Sequence, residues 1–270
     1  VALGTQTAAS VCRPAAYCGA FAFKPTTGLT PREGVVPLAP TFDTVGAYGL
    51  TLQWAVQAAL DMLGQALPPA RQQPLRIGVL ADPFYLDIEP RIQRTVDAAV
   101  QVLRGRGHEI VPLLIGIDFA ALRQRHMQVL QYEAFREHGA LLQTDAQRTG
   151  AKFKALLENG AQLGYDTYAQ DMREVLAARE RMLAAVRMVD VVLLPPIVDT
   201  APEGLDWTGD ARLITPWTCA GTPLAVLPTG LADNGLPVAV MLAGHPGRDA
   251  ALAADALAAG RLLEQAGLAL

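Results

Sequence analysis

The 270 residues carry 22 Lys and Arg against 26 Asp and Glu, a formal charge of −4 spread along the chain that leaves no basic footprint for nucleic acid. Hydrophobic residues make up 51%, inflated by alanine, yet no apolar run reaches the roughly 18 residues a membrane span needs, and the longest candidate, Val191 to Val198, holds two prolines. This length can bury a sizeable core and is read as one domain over residues 1–270, with a mostly helical sub-region over 75–189.

Val1-Ala2-Leu3 predicts the tail of a buried strand, which runs into Gly4-Thr5-Gln6-Thr7-Ala8-Ala9-Ser10; Arg13-Pro14 then fits the start of a helical turn. The rest of the first 50 residues is dense in Gly, Pro and Thr and reads as short strands and turns, with Phe21-Ala22-Phe23 as a strand buried on both faces. Thr51 caps a helix running to Leu67, with Leu52, Ala55, Val56, Ala59, Leu60 and Leu63 at helical spacing. Pro68 to Pro74 is a polar linker. Leu75–Leu80 is a strand. Pro90 opens a helix that Gly105 and Gly107 end, and Glu109–Leu113 is a second strand; this βαβ alternation predicts parallel pairing. From Asp118 to Val189 the pattern is amphipathic helix, broken near Gly139, Gly150 and Gly160–Gly164, with the charges around Arg173 and Arg179–Arg181 on a solvated face. Asp190–Ile197 returns to a buried strand, and a polar loop with Trp207, Asp210 and Arg212 follows. Strands Leu224–Leu227 and Val238–Leu242 flank a hairpin signal at Asp233-Asn234-Gly235, and Asp249 caps a closing helix to Leu263.

Cys12, Cys18 and Cys219 are an odd number without C-x-x-C spacing, which argues against a disulfide framework or a zinc site. They read as small buried apolar residues in a reducing, cytoplasmic setting. No basic stretch precedes an apolar one, so no signal peptide is visible; the chain opens inside a strand pattern, and any targeting segment would lie upstream.

Ser10 is the only serine in the sequence. Between a strand end and a helix start, with small Ala8 and Ala9 before it, its hydroxyl would stand beside free backbone N–H groups, an arrangement that holds a nucleophile and stabilises an oxyanion. Serine needs a base. His108 lies in a Gly-rich turn, and His126 and His138 lie in polar helix, so all three read as surface residues; His245, after the last strand, is the best placed of the four. The positions do not support a Ser-His-Asp triad, and Arg13 stands where an S-x-x-K motif would have lysine.

The stretch Gly4 to Gly28 resembles the signature block of the amidase signature family of serine hydrolases, G-T-x-T-x-x-S followed by R-P-A-A-x-C-G and K-P-T-x-G. Gly34 to Gly46 and the segments Pro216-Trp217-Thr218, Gly221-Thr222-Pro223 and Gly235-Leu236-Pro237-Val238 add blocks in family order. The resemblance implies an α/β fold, a mixed, largely parallel central sheet flanked by helices, with the amino-terminal part of the domain absent from this chain. It implies an amidase, hydrolysing linear amides through a serine acyl-enzyme. Ser10 matches the nucleophile, and the N–H groups of Thr7, Ala8, Ala9 and Ser10 match the oxyanion hole. Arg13 and Thr5 are candidates for substrate contact, and Lys24 matches a scaffold lysine held by carbonyls or carboxylates. Asp43 reads as a turn or network residue. The middle region of the family helps to shape the substrate funnel, so specificity is expected from residues 75–189. The family uses a Ser-Ser-Lys arrangement whose lysine and bridging serine precede the signature block, so both are expected upstream of Val1. The family most often has Gly-Gly where this chain has Ala8-Ala9, which would be strained at positive φ. The partner implied is a small-molecule amide, with no cofactor, metal, nucleic acid or membrane; alanine-rich helices leave room for a homodimer. The alternatives are a non-catalytic module on the same fold or an amidotransferase A-type subunit.

Overall fold

The computed structural model describes residues 1–69 and 71–269, so Ala70 of the predicted linker lies outside the described residues. The strands are β1 (Ala2–Gln6), β2 (Phe21–Lys24), β3 (Thr44–Gly49), β4 (Arg76–Leu80), β5 (Glu109–Leu113), β6 (Val191–Leu194), β7 (Leu224–Leu231) and β8 (Pro237–Ala243). The helices are α1 (Cys12–Cys18), α2 (Leu52–Met62), α3 (Pro83–Leu86), α4 (Pro90–Gly105), α5 (Phe119–His138), α6 (Leu141–Thr144), α7 (Ala151–Ala161), α8 (Tyr165–Val186), α9 (Thr215–Ala220) and α10 (Asp249–Gln265). The strands form one sheet in the order β1-β3-β2-β7-β8-β6-β4-β5.

The sheet is mixed and flanked by helices, but antiparallel neighbours predominate, which corrects the expectation of a largely parallel sheet. Only β4 pairs in parallel, with β5 and β6; the other five neighbouring pairs are antiparallel. Parallel neighbours need a long crossover. Helix α4 supplies one between β4 and β5, and α5 to α8 supply the return to β6. Between β7 and β8 a short connection turns the chain straight back at Asp233-Asn234-Gly235, where Gly235 takes φ +78° and its N–H bonds to the Ala232 carbonyl.

Both faces of the sheet are covered, so its central strands are apolar throughout rather than alternating. Val192 and Leu194 of β6 and Val226 of β7 face one core with α1, α5, α8 and α9. Val191, Leu193 and Leu227 face the other with α2, α4 and α10. All four β6 side chains are fully buried, each worth about 1.5–3 kcal/mol relative to exposure.

Several expectations change in the folded chain. The strand at Val1-Ala2-Leu3 forms, but at the sheet edge: Val1 and Leu3 are 69% and 61% exposed, and only Gln6 of β1 is buried. Helix α2 keeps its Thr51 cap, which accepts from Trp54 N, but stops at Met62, where Gly64 and Gln65 bond back to Asp61 and Leu60. The one-turn α3 and the six-residue α9 are too short to show a period. Cys12 and Cys219 are buried as expected, whereas Cys18 ends α1 exposed. Asp249 lies within the first turn of α10 and does not cap it. Its buried carboxylate accepts from Thr26 N and Thr26 Oγ1, both at 2.7 Å, and ties the Lys24-Pro25-Thr26 segment to the closing helix.

Arg71, in the connection before β4, bridges Asp190 at 3.2 Å and Asp255 of α10 at 3.5 Å. Burial pushes the Asp255 carboxyl up to about 6, against the pull of Arg71 and with the push of Asp190. The folded state therefore favours protonated Asp255. Its contribution to stability is fully present below the unfolded carboxylate pKa of about 4 and is lost as pH rises through about 6. Asp255→Asn should flatten the melting-temperature profile between those pH values. It should stabilise the fold at pH ~7.5 by about 1 kcal/mol, a figure discounted for solvent screening. Thermal melts across pH check this; an unchanged slope contradicts it.

Candidate active site

The chain leaves β1 at Gln6 and enters α1 at Cys12 through a turn that carries Ser10. Ser10 is exposed between buried Ala9 and buried Val11. Gly4 makes room for this turn: a Cβ there would lie 2.8 Å from the Tyr48 ring, and the Tyr48 hydroxyl donates to the Ser10 carbonyl at 2.9 Å.

Each carbonyl from Thr7 to Ser10 has a donor. His126 Nε2 donates to Thr7 O at 2.9 Å, Thr218 Oγ1 to Ala8 O at 2.6 Å, and Arg13 N to Ala9 O at 2.9 Å; Tyr48 holds Ser10 O. A trans peptide sets each N–H opposite the preceding carbonyl. Holding the Thr7, Ala8 and Ala9 carbonyls therefore fixes where the N–H groups of Ala8, Ala9 and Ser10 point. Among the described residues, the N–H groups of Thr7, Ala8, Ala9 and Ser10 have no acceptor, whereas those of Val11 and Cys12 both bond to Gln6 Oε1 at 3.0 Å. No described residue other than glycine has positive φ, so Ala8 and Ala9 occupy this turn without left-handed strain.

Two further networks brace the turn. Gln6, fully buried, donates its amide to Thr218 Oγ1 at 2.9 Å, so one side chain links β1, the start of α1 and α9. Thr7 Oγ1 donates to Asp43 Oδ1 at 2.6 Å, and Asp43 Oδ2 accepts from Leu38 N and Ala39 N. Asp43 is thus the network residue expected from sequence.

Thr5 is exposed on β1 beside this turn. Arg13 lies one helical turn after Ser10, with its guanidinium bonded to Gly209 O at 2.7 Å and Thr208 Oγ1 at 2.9 Å. It thereby fastens the loop between β6 and α9 next to Ser10. Lys24 is fully buried and donates to Pro25 O at 2.7 Å, a carbonyl-held lysine as expected; burial pushes its pKa down to about 8. Burial raises the Cys12 thiol to about 12 and raises Cys219 as well, so neither is a thiolate at neutral pH.

The histidines correct the sequence reading. His126 is buried, not on the surface, with its ring 4.4 Å from Phe42. Burial and nearby Arg123 push its pKa down to about 4 in spite of the Thr7 bond. His138 holds Pro37 O, and His108 Nδ1 accepts from Leu75 N. His245 bonds to Val189 O and lines a small cavity with Arg71 and Asp255. Among the described residues, no histidine or lysine hydrogen-bonds Ser10. One signal for His126 was present in the sequence. Phe119, Leu122, His126, Val129, Leu130 and Glu133 share one buried stripe of α5, and a polar residue in such a stripe calls for a partner.

A groove of about 570 Å³ runs between α2 and α10 past Leu50, Leu227 and Leu257 and includes none of the Ser10 turn. Among the described residues, no group of three or more His, Cys, Asp or Glu side chains is placed to hold a metal ion, and no helix is long and apolar enough to cross a membrane.

A family model described as Amidase matches residues 1–253. The chain belongs to the amidase family. A curated relative, 2-amino-5-chloromuconic acid deaminase of Comamonas testosteroni, is 31% identical over 98% of this chain and 61% of its own length. The Glutamyl-tRNA(Gln) amidotransferase A-type subunit of Thermosynechococcus vestitus is 28% identical over 93% of this chain and 62% of its own. The fold of this amidase-family chain matches a solved structure described as a crystal structure of amidase, with a TM-score of 0.87 at 23% identity over 98% of this chain and 62% of the other. The chain therefore spans about three-fifths of the length of the relatives it matches.

Proposed function

We propose that this chain carries the nucleophile and oxyanion-binding part of an amide hydrolase. Ser10 attacks the carbonyl carbon of a linear amide. The oxygen of that carbonyl becomes an oxyanion and takes hydrogen bonds from backbone N–H groups among Thr7, Ala8, Ala9 and Ser10. The C–N bond breaks, the amine or ammonia leaves with a proton, and water hydrolyses the Ser10 ester. The observation that carries this reading is the turn itself: four carbonyls occupied, four N–H groups open, and an exposed serine at its end. Family membership supports the same chemistry.

The base completes the proposal. In a Ser-Ser-Lys mechanism a lysine acts through a bridging serine, and Ser10 is the only serine in this sequence. The bridging serine would therefore come from outside these 270 residues, and we assign the lysine to the same place. Thr5 and Arg13 flank Ser10 and are the proposed substrate contacts. Arg13 would meet a substrate carboxylate with N–H groups not used on Thr208 and Gly209, and a relative named for deaminating an acid supports that class of substrate.

The second reading, the ammonia-donating component of an amidotransferase, draws support from the relatives of that name. Hydroxylamine trapping in the full-length protein tests the acyl-enzyme common to both. Turnover of carboxylate-bearing primary amides should divert into hydroxamate with ammonia still released. Ammonia release without any hydroxamate overturns the acyl-enzyme, and turnover only with glutamine plus an aminoacyl-tRNA partner favours the second reading.

A further inference from the structure

We infer that His126 is a positioning residue for catalysis: as the neutral Nε2–H tautomer it holds the Thr7 carbonyl and so aims the Ala8 N–H at the developing oxyanion. The inference rests on the function proposed for the Ser10 turn. A carbonyl oxygen only accepts, so the 2.9 Å contact requires the proton on Nε2. The peptide linking Thr7 to Ala8 then has its carbonyl end fixed from α5 and its N–H end turned the opposite way.

His126 does not act alone on that helix. Two turns later Glu133 accepts from Thr41 N at 2.9 Å, from Thr41 Oγ1 and from Tyr168 OH at 3.0 Å. His138 holds Pro37 O at 2.5 Å. Phe42, between these contacts, packs on the His126 ring, and the same 37–43 segment positions Asp43 against Thr7. Helix α5 thus braces the nucleophile turn directly through His126 and indirectly through Asp43. Its residues lie more than 80 positions downstream in the chain, in the helical region expected from sequence to shape substrate access. Burial keeps the ring neutral well into the acidic range, which preserves its single-donor form at working pH.

Two substitutions in the full-length enzyme separate positioning from packing. His126→Phe keeps a ring against Phe42 and removes the donor; His126→Gln restores an N–H near the position of Nε2. His126→Phe should lower kcat and the rate of fluorophosphonate labelling at Ser10 by about 10–100-fold, with KM changed less than about 3-fold, because the lost contact acts on the transition state. His126→Gln should recover most of that loss. Imidazole ¹⁵N spectra of the wild type should show a protonated Nε2 and an unprotonated Nδ1, a readout independent of whether the variants fold. Wild-type kcat in His126→Phe, no recovery in a folded His126→Gln, or an Nδ1–H tautomer overturns the inference. If wild type labels at Ser10 and His126→Phe labels equally fast, this inference alone falls. If wild type does not label at Ser10, the proposed function falls with it.

Discussion

Ser10→Ala in the full-length enzyme should reduce amide turnover by at least about 10⁴-fold while leaving the melting temperature within about 1 °C. The two halves of this expectation have different origins. The hydroxyl is the nucleophile proposed for this turn, and Cys12, two residues on, is buried with its thiol raised to about 12. Losing an exposed hydroxyl disturbs no packing. The Tyr48 bond goes to the Ser10 carbonyl and survives the substitution, as do the contacts to Thr7, Ala8 and Ala9. A folded Ser10→Ala that retains turnover would remove the serine from the mechanism. Steady-state ammonia release beside a thermal melt makes the comparison.

The second large effect is expected at Gln6. Gln6→Leu should cut kcat by about 10²–10³-fold, comparable to losing an oxyanion-hole donor. It should also destabilise the fold by about 2–4 kcal/mol, because two buried N–H groups lose their acceptor. Gln6 Oε1 serves Val11 N and Cys12 N, and its amide N–H serves Thr218, whose hydroxyl in turn holds the Ala8 carbonyl. Removing the amide therefore loosens the start of α1 and the Ala8 peptide together. Thr218→Val separates these effects: Gln6 still accepts from both N–H groups, but the Ala8 carbonyl loses its donor. It should keep most of the stability and lose a larger share of activity than of stability. Denaturant unfolding and kcat, measured on both variants, test this. If Thr218→Val and Gln6→Leu lose stability equally, the acceptor role assigned to Oε1 is wrong.

The local parts of this site were legible in sequence because their signals are local. A small-residue turn ending in the sole serine, a proline two residues into the following helix, and a hairpin at Asp233-Asn234-Gly235 all show within a few positions. The helical breaks between α5, α7 and α8 fall near the glycines that predicted them. What stayed hidden depends on partners far apart in the chain. The apolar stripe of α5 marks His126 as a polar residue in need of a partner, but nothing names that partner as Thr7, 119 positions earlier. Thr218 sits in a six-residue helix with no visible period, and its partner Ala8 lies 210 positions away. Asp249 looks like a helix cap because aspartate before an apolar run usually is one; its carboxylate instead reaches Thr26. The direction of strand pairing was hidden for the same reason. The βαβ unit from β4 to β5 announces itself, but nothing local in β2 or β7 says that they run antiparallel to each other.

In the proposed function the turn from Thr7 to Ser10 presents a nucleophile beside an open row of N–H donors. The measurement that tests it most directly is peptide mapping of the full-length protein after reaction with a fluorophosphonate. A single stoichiometric adduct is expected on Ser10, lost in Ser10→Ala and slowed in Gln6→Leu. An adduct on another residue, or equal labelling of wild type and Ser10→Ala, would contradict it.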